Sequence, residues 1–362
     1  MKTREVVFYS EGDKMAGTVY LPDDYKDGEK RPCIIANSGW TGLNMVYPAL
    51  FSRAMTAKGY VCMGFDYRGF KPSEGREKYT TLEREVEDVA AAVNFMKAQP
   101  EIDPQRIGLI GWGVGGAVCV EVTAREDAVK AVATLNSFVD GVRWMRMGMG
   151  NDKYHKMLRA LEDDKIKRAT TGDPVLRHPY EFYPNIDESG DFYVDQTLKR
   201  IDGGVSEKAN QTTGEEFPTP MSSVYAESFL RFNIEATLPK LAPKAVFVGH
   251  GRYNELHDKI EAEEAYRLAK EPKELYYVEG KHNESFSINI CKFRGASSSS
   301  CCLNCYDCNL CHQTGGEKSV NGRFSPPNGS LFDSRKGIRV RKYKLGLIQM
   351  DLAFLDKEAN LR

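Results

Sequence analysis

The sequence predicts an α/β protein with a mostly parallel, doubly wound β-sheet. Short apolar runs typical of buried strands alternate with amphipathic segments typical of helices. Such alternation predicts parallel strands joined by helices. A glycine-rich stretch, residues 106–118, has the pattern of a buried strand, a sharp turn and the start of a helix. Because ligands of such sheets bind at the carboxyl ends of the strands, we expect the functional site at that edge.

Eight strands are predicted from these apolar runs. The first two flank the turn Glu11-Gly12-Asp13 and are expected to form an opening hairpin. The strands are predicted at residues 6–9, 15–20, 32–36, 60–65, 106–110, 129–135, 244–248 and 275–278.

Helices are predicted between most of these strands, at residues 48–58, from residue 114 onward, and at residues 225–236 and 260–269. One more is marked by the capping-box spacing of Thr80 and Glu83, and it should stop before Pro100. Its apolar residues fall on one helical stripe: Leu82, Val86, Val89, Val93 and Met96.

Composition argues against several classes of partner. The 362 residues are 41% hydrophobic and 28% charged, with a net charge of −1, so nothing favours nucleic acid or an anionic membrane surface. The N-terminus has no apolar stretch long enough for a signal peptide, and no segment has the length of a membrane span. We expect a cytoplasmic protein without a cofactor that acts on a small molecule and can form a homodimer.

The stretch Gly111-Trp112-Gly113-Val114-Gly115 matches a nucleophile elbow, G-x-S-x-G, except at its centre. Gly113 stands at the nucleophile position and carries no oxygen or sulfur that could attack a carbonyl. The same glycines also match the dinucleotide fingerprint G-x-G-x-x-G. That alternative is disfavoured because the turn follows several strands, and because the next strand is followed by Asn136-Ser137 rather than by an acid.

Three motifs together resemble the α/β-hydrolase superfamily. They are the elbow, the lead-in Asp-Pro-x-Arg-Ile at residues 103–107, and Asp66-Tyr67-Arg68-Gly69 with Ser73-x-Gly75. Over residues 4–138 and 220–286 the chain is most similar to dienelactone-hydrolase-like and fungal polyketide-transferase-type members. The resemblance implies an α/β-hydrolase fold with a core at residues 1–138 and 241–286, a cap insertion at 139–240 and a terminal helix at 347–362.

The resemblance also implies the positions of the catalytic groups. His282 follows the last core strand, at the position of the family's histidine. The pattern His-Gly-x-x-Asp puts the acid at Asn254, which is an amide here, with Glu255 as a neighbouring carboxylate that could substitute. The oxyanion hole would be formed by the backbone N–H groups of Trp40 and Val114. His250 is interpreted as part of the scaffold, and His257 lies in no motif.

Residues 287–346 differ in composition from the rest of the chain. They contain a serine run, little periodicity and the spacing Cys302-x-x-Cys305-x-x-Cys308-x-x-Cys311, which would suit zinc or an iron–sulfur cluster. The favoured interpretation is a disordered insertion that arises from an unspliced intron or a gene-model error, with no metal. By contrast, Cys33, Cys62 and Cys119 lie in apparent core elements and are expected to be buried thiols.

The expected function is that of an enzyme of fungal secondary metabolism, in a polyketide or polyketide–peptide hybrid pathway such as those of the cytochalasans. It would act on a polyketide-derived carbonyl compound by hydrolysis-like or cyclisation chemistry without a serine nucleophile. Two alternatives stay open. One is a catalytically inactive pseudo-hydrolase that binds an intermediate, and the other is a thioesterase or acyltransferase, against which Gly113 argues.

Overall fold

An eight-stranded sheet forms the centre of the protein in a computed structural model that describes residues 1–178, 181–182 and 219–282. All eight predicted strands belong to this sheet. Its strands are β1 (Lys2–Ser10), β2 (Asp13–Leu21), β3 (Arg31–Asn37), β4 (Val61–Phe65), β5 (Ile102–Trp112), β6 (Val129–Leu135), β9 (Ala245–Gly251) and β10 (Lys273–Val278). A separate two-stranded ribbon pairs β7 (Leu176–Arg177) with β8 (Met221–Ser222).

The strand order is β1-β2-β4-β3-β5-β6-β9-β10. The first two strands form the predicted hairpin, and β2 pairs antiparallel with β4. All other neighbours are parallel, as expected for strands joined by helical crossovers. The carboxyl ends of β3, β5, β6 and β9 therefore meet at one edge, which positions the loops that follow them.

Six helices accompany the strands in the described residues: α1 (Tyr47–Thr56), α2 (Leu82–Lys97), α3 (Val114–Arg125), α4 (Gly141–Thr171), α5 (Ser223–Arg231) and α6 (Lys259–Leu268). Two boundaries correct the sequence predictions. The N-cap of α2 is Thr81, whose side chain accepts from the Arg84 N–H, and not Thr80. Helix α5 ends at Arg231 because the chain becomes extended at Phe232 and Asn233 then bridges to Asp140.

The core lies on both faces of the sheet. Strand β4 is buried along its whole length, and the last six residues of β5 are buried as well, as parallel strands covered by helices on both faces should be. The predicted core cysteines, Cys33, Cys62 and Cys119, are buried free thiols, which confirms that prediction.

Residues 139–240, predicted to form a cap, include α4, β7, β8 and α5 in the part of the chain that the structure describes. Helix α4 is interrupted at Gly150, where φ is 72° and ψ is 162°. The predicted insertion at 287–346, with its cysteine cluster, and the predicted terminal helix at 347–362 lie outside the described residues. Over the ranges that the structure does describe, no helix has the length and apolar character to cross a membrane.

A buried ion pair fixes the loop that follows β4. Arg68 is 1% exposed, and its guanidinium donates to Asp88 Oδ1 of α2, at 2.8 Å from Nε and 2.6 Å from Nη2. The same guanidinium reaches Glu11 and Ser10 of the opening hairpin. One side chain therefore joins the hairpin, the β4 loop and α2.

We expect Asp88→Asn to destabilise the protein by about 3–5 kcal/mol, because it leaves a buried guanidinium without its buried counter-charge. The measurement is the free energy of unfolding from urea denaturation. Glu87→Gln is the matched control, since Glu87 is the adjacent residue of α2 and pairs with Arg125 at the surface. It should cost about 1 kcal/mol or less. Equal losses in both variants would contradict this role for Arg68.

Candidate active site

The turn between β5 and α3 has the geometry of an elbow. Gly113 lies between Trp112, the last residue of β5, and Val114, the first residue of α3, with φ 53° and ψ −123°. Its N–H donates to the Leu135 carbonyl oxygen at 2.9 Å, which ties the turn to β6. A positive φ of this size is costly for residues with a side chain, so glycine relieves strain there.

The neighbouring glycines are required by close packing. A Cβ atom on Gly111 would lie 2.2 Å from the Gly115 carbonyl oxygen, and one on Gly115 would lie 2.0 Å from the Ser38 carbonyl oxygen. At Gly116 it would lie 2.6 Å from Ser137 Oγ. Gly113 differs, because a Cβ there would have Gly39 Cα as its nearest neighbour at 4.0 Å. The elbow thus has open space at the position where a hydrolase carries its nucleophile.

His282 packs beside this elbow and is 3% exposed. The edge of its ring meets the Trp112 ring, with centroids 5.1 Å apart and planes 72° apart. Its backbone is held on both sides, since the carbonyl oxygen accepts from Asn136 Nδ2 at 2.8 Å and the N–H donates to Glu255 Oε2 at 3.2 Å. The structure therefore brings His282 to the edge of the sheet that carries the elbow.

The ring of His282 faces an amide where a catalytic triad has a carboxylate. Asn254 Oδ1 lies 3.2 Å from His282 Nδ1. The same oxygen accepts the backbone N–H groups of Leu256 and His257, each at 3.0 Å, and these two donors fix which end of the amide is the oxygen. The hydrogen therefore belongs to Nδ1 of His282, and its Nε2 carries a lone pair.

This site holds its imidazole in the neutral form. Burial lowers the pKa of His282 to about 3, and repulsion from His250 contributes further. Asn254 offers no negative charge that would stabilise an imidazolium, unlike the aspartate of a triad. Glu255, predicted as a substitute acid, directs Oε2 to the backbone N–H of His282.

The two residues predicted to form the oxyanion hole lie in α3 and in the loop that packs against the elbow. Val114 is the first residue of α3, so its N–H has no intrahelical acceptor. Trp40 belongs to the loop after β3, which packs against the elbow through Ser38 and Gly39. Their role in stabilising an oxyanion stays a prediction.

A small cavity of about 20 Å³, room for about one water molecule, lies between Trp40 and side chains of α5. Its walls are mainly apolar and include Phe182, Met221, Tyr225 and Phe229. The Tyr225 hydroxyl lies 2.8 Å from Glu85 Oε1 and 3.4 Å from the Trp40 carbonyl oxygen, and burial raises the pKa of Glu85 well above its usual value. The side chains beside Trp40 therefore present a mainly apolar surface.

Three residues of the site were not found from the sequence. Asn136 joins β9 to the His282 loop, since its Oδ1 accepts the Gly251 N–H at 2.8 Å. His257 stacks on His282, and Trp144 stacks on His257 in turn. Asn136 did have a local signal, as an asparagine directly after a buried strand, whereas the ring stack depends on contacts between distant segments.

The family model for the X-Pro dipeptidyl-peptidase (S15 family) matches residues 11–181 of this chain. The crystal structure of the hypothetical protein PA2218 from Pseudomonas aeruginosa has a TM-score of 0.66 at 22% identity, covering 81% of this chain and 93% of that one. That of the α/β hydrolase GrgF from Penicillium sp. has a TM-score of 0.61 at 18% identity, covering 78% and 92%.

The chain has the α/β-hydrolase fold. The mostly parallel sheet with flanking helices is shared with these structural neighbours. The predicted fold class is thereby confirmed.

Sequence relatives of this hydrolase-fold protein come from bacteria and fungi. The P. aeruginosa protein is 27% identical over 76% of this chain and 74% of its own length. The quorum-quenching protein AidA of Acinetobacter baumannii is 28% identical over 48% of this chain and 56% of its own. The thiohydrolase aneE of Aspergillus aculeatus is 27% identical over 44% and 48%. The last two alignments thus span about half of each relative.

We expect the protein to resist labelling by a fluorophosphonate probe, because Gly113 has no nucleophilic atom. The double variant Gly113→Ser/Asn254→Asp should be labelled at least about tenfold faster than Gly113→Ser alone, since the carboxylate stabilises the imidazolium of His282 and raises its pKa. The measurement is the labelling rate by intact mass. His282→Ala in the double variant is the control and should abolish the gain. Stoichiometric labelling of the unmodified protein would contradict the assignment of Gly113.

Proposed function

We propose that this protein is an enzyme that closes a carbon–carbon bond in a polyketide-derived carbonyl compound, with His282 as the base and without an acyl-enzyme. The observation that carries the proposal is a neutral imidazole with a lone pair on Nε2, packed beside an elbow whose nucleophile position is open. Base chemistry remains when the nucleophile is absent, whereas covalent acyl transfer does not.

The reaction proceeds as a condensation within one molecule. His282 Nε2 removes a proton from a carbon flanked by two carbonyl groups, which leaves an enolate. The enolate carbon bonds to an aldehyde carbon, and the electron pair of that carbonyl moves to its oxygen. The backbone N–H groups of Trp40 and Val114 stabilise the oxyanion, which then takes the proton back from His282. Loss of water from the resulting alcohol gives the alkene.

The apolar side chains beside Trp40 favour a substrate with an apolar part. Holding that part fixed would bring the two reacting carbons together and reduce the entropic cost of ring closure. The Aspergillus relative is a thiohydrolase, and a Penicillium α/β hydrolase shares the fold. These likenesses, with the motif resemblance, support a role in a fungal polyketide or polyketide–peptide hybrid pathway. We place this enzyme in the cytoplasm, with a homodimer as its proposed assembly.

A second function is favoured by one observation, the low pKa of His282. A base whose conjugate acid has a pKa of about 3 removes protons less readily than one poised near neutrality. A pseudo-hydrolase that binds an intermediate would need no base. An ordinary thioesterase or acyltransferase would need a nucleophile that Gly113 lacks.

We expect His282→Ala to lower the rate of cyclisation of a linear keto-aldehyde by about 10²–10⁴-fold, the usual contribution of a positioned base. Product formation is followed by mass spectrometry against the buffer rate. His155→Ala is the control, because His155 is exposed on α4 and should leave the rate unchanged. If the protein binds the precursor but cyclisation proceeds at the buffer rate with both variants, the pseudo-hydrolase is favoured instead.

A further inference from the structure

A continuous stack of four aromatic rings ends at His282. Phe138 stacks on Trp144 with centroids 4.8 Å apart and planes 9° apart. Trp144 stacks on His257 at 4.8 Å and 15°, and His257 stacks on His282 at 5.0 Å and 13°. The four planes are thus nearly parallel, from the start of α4 to the imidazole beside the elbow.

The α4 end of this stack is held by polar contacts. Trp144 Nε1 donates to the Leu256 carbonyl oxygen at 2.9 Å. The start of α4 is fixed to α6, because Glu261 accepts Arg143 Nε at 2.6 Å and the Val139 N–H at 2.7 Å. Trp144 lies one residue beyond Arg143, so its ring presents a fixed surface to His257.

His257 contacts the surroundings of His282 through its backbone as well as through its ring. Its backbone N–H donates to Asn254 Oδ1, the atom that faces His282 Nδ1. Its carbonyl oxygen lies 3.0 Å from His250 Nε2. The ring is fully buried, and within the described residues neither of its nitrogens has a hydrogen bond of normal geometry. The Ser137 backbone and the rings of His250 and His282 are the groups that influence its pKa, which burial holds well below the usual value.

We propose that His257 is a positioning residue whose flat, uncharged ring fixes the plane of the His282 imidazole and so keeps Nδ1 directed at Asn254. The hydrogen bond from Nδ1 to Asn254 Oδ1 would by itself let the imidazole rotate about the line that joins these two atoms. Stacking on the face of the His257 ring removes that freedom. The Trp112 ring, whose plane lies at 72° to the imidazole, limits it from another direction. This inference rests on the proposed function, in which His282 Nε2 must point at the substrate.

A buried imidazole whose nitrogens lack hydrogen bonds of normal geometry is costly for stability, and an apolar side chain of similar size would cost less. Substitutions at His257 can therefore distinguish a structural role from a positioning role. A purely structural residue would be replaced without loss by leucine, which has a comparable volume. A positioning residue would need a flat ring, which phenylalanine supplies and leucine does not.

The experiment compares His257→Leu with His257→Phe in the full-length protein. The first readout is the ¹⁵N spectrum of the His282 ring, which reports which nitrogen carries the hydrogen. We expect His257→Phe to keep the hydrogen on Nδ1. In His257→Leu we expect a mixture of both tautomers, with thermal stability equal to or above that of the unmodified protein.

The second readout is cyclisation kinetics with the linear keto-aldehyde. We expect kcat to fall about tenfold or more in His257→Leu with little change in KM, because a misplaced base costs rate rather than binding. Unchanged His282 resonances in folded His257→Leu, or equal changes in both variants, would overturn the proposal. If neither variant folds, the proposal also fails, because it assigns His257 no part in stability. If no cyclisation occurs, the proposed function fails while the ¹⁵N result still decides the role of His257.

Discussion

The active edge of this protein depends on one packing constraint, the absence of side chains on three glycines around the elbow. Strand β5, α3 and the loop after β3 approach one another closely at Gly111, Gly115 and Gly116. A Cβ on any of these three glycines would collide with neighbouring atoms. The close approach places Trp112 against His282 and the Trp40 loop against the turn. Gly113 lies at the centre of this arrangement, yet its own Cβ position is open.

Charge is the second feature that sets this site apart from a serine hydrolase. A triad pairs a nucleophile, an imidazole and a carboxylate, so that the proton taken from the nucleophile is stabilised by a nearby negative charge. Here the first and third positions are Gly113 and Asn254, and the imidazole stays neutral. The changes are mutually consistent, because an imidazole that takes no proton from a serine has less need of a carboxylate.

The sequence was sufficient for the sheet, because buried strands and glycine turns leave local signals. Eight apolar runs predicted the eight strands, and the position of His282 after the last strand predicted where it lies. Helix ends were less certain: Thr80 and Thr81 offer similar caps, and the end of α5 is set by a distant bridge to Asp140. The ring stack on His257 had no local signal, since Phe138, Trp144 and His257 meet only in the folded chain.

The site holds His282 neutral, with its hydrogen on Nδ1. A pH titration of the unmodified protein by ¹H–¹⁵N NMR measures both properties. Because burial and His250 lower the pKa to about 3, the His282 resonances should stay unchanged from pH 8 to pH 5 and report one tautomer. The lowered pKa also means that protonation opposes folding, so stability should fall as the pH drops below about 6.5. A titration midpoint near 6.5, or a hydrogen on Nε2, would contradict the claim.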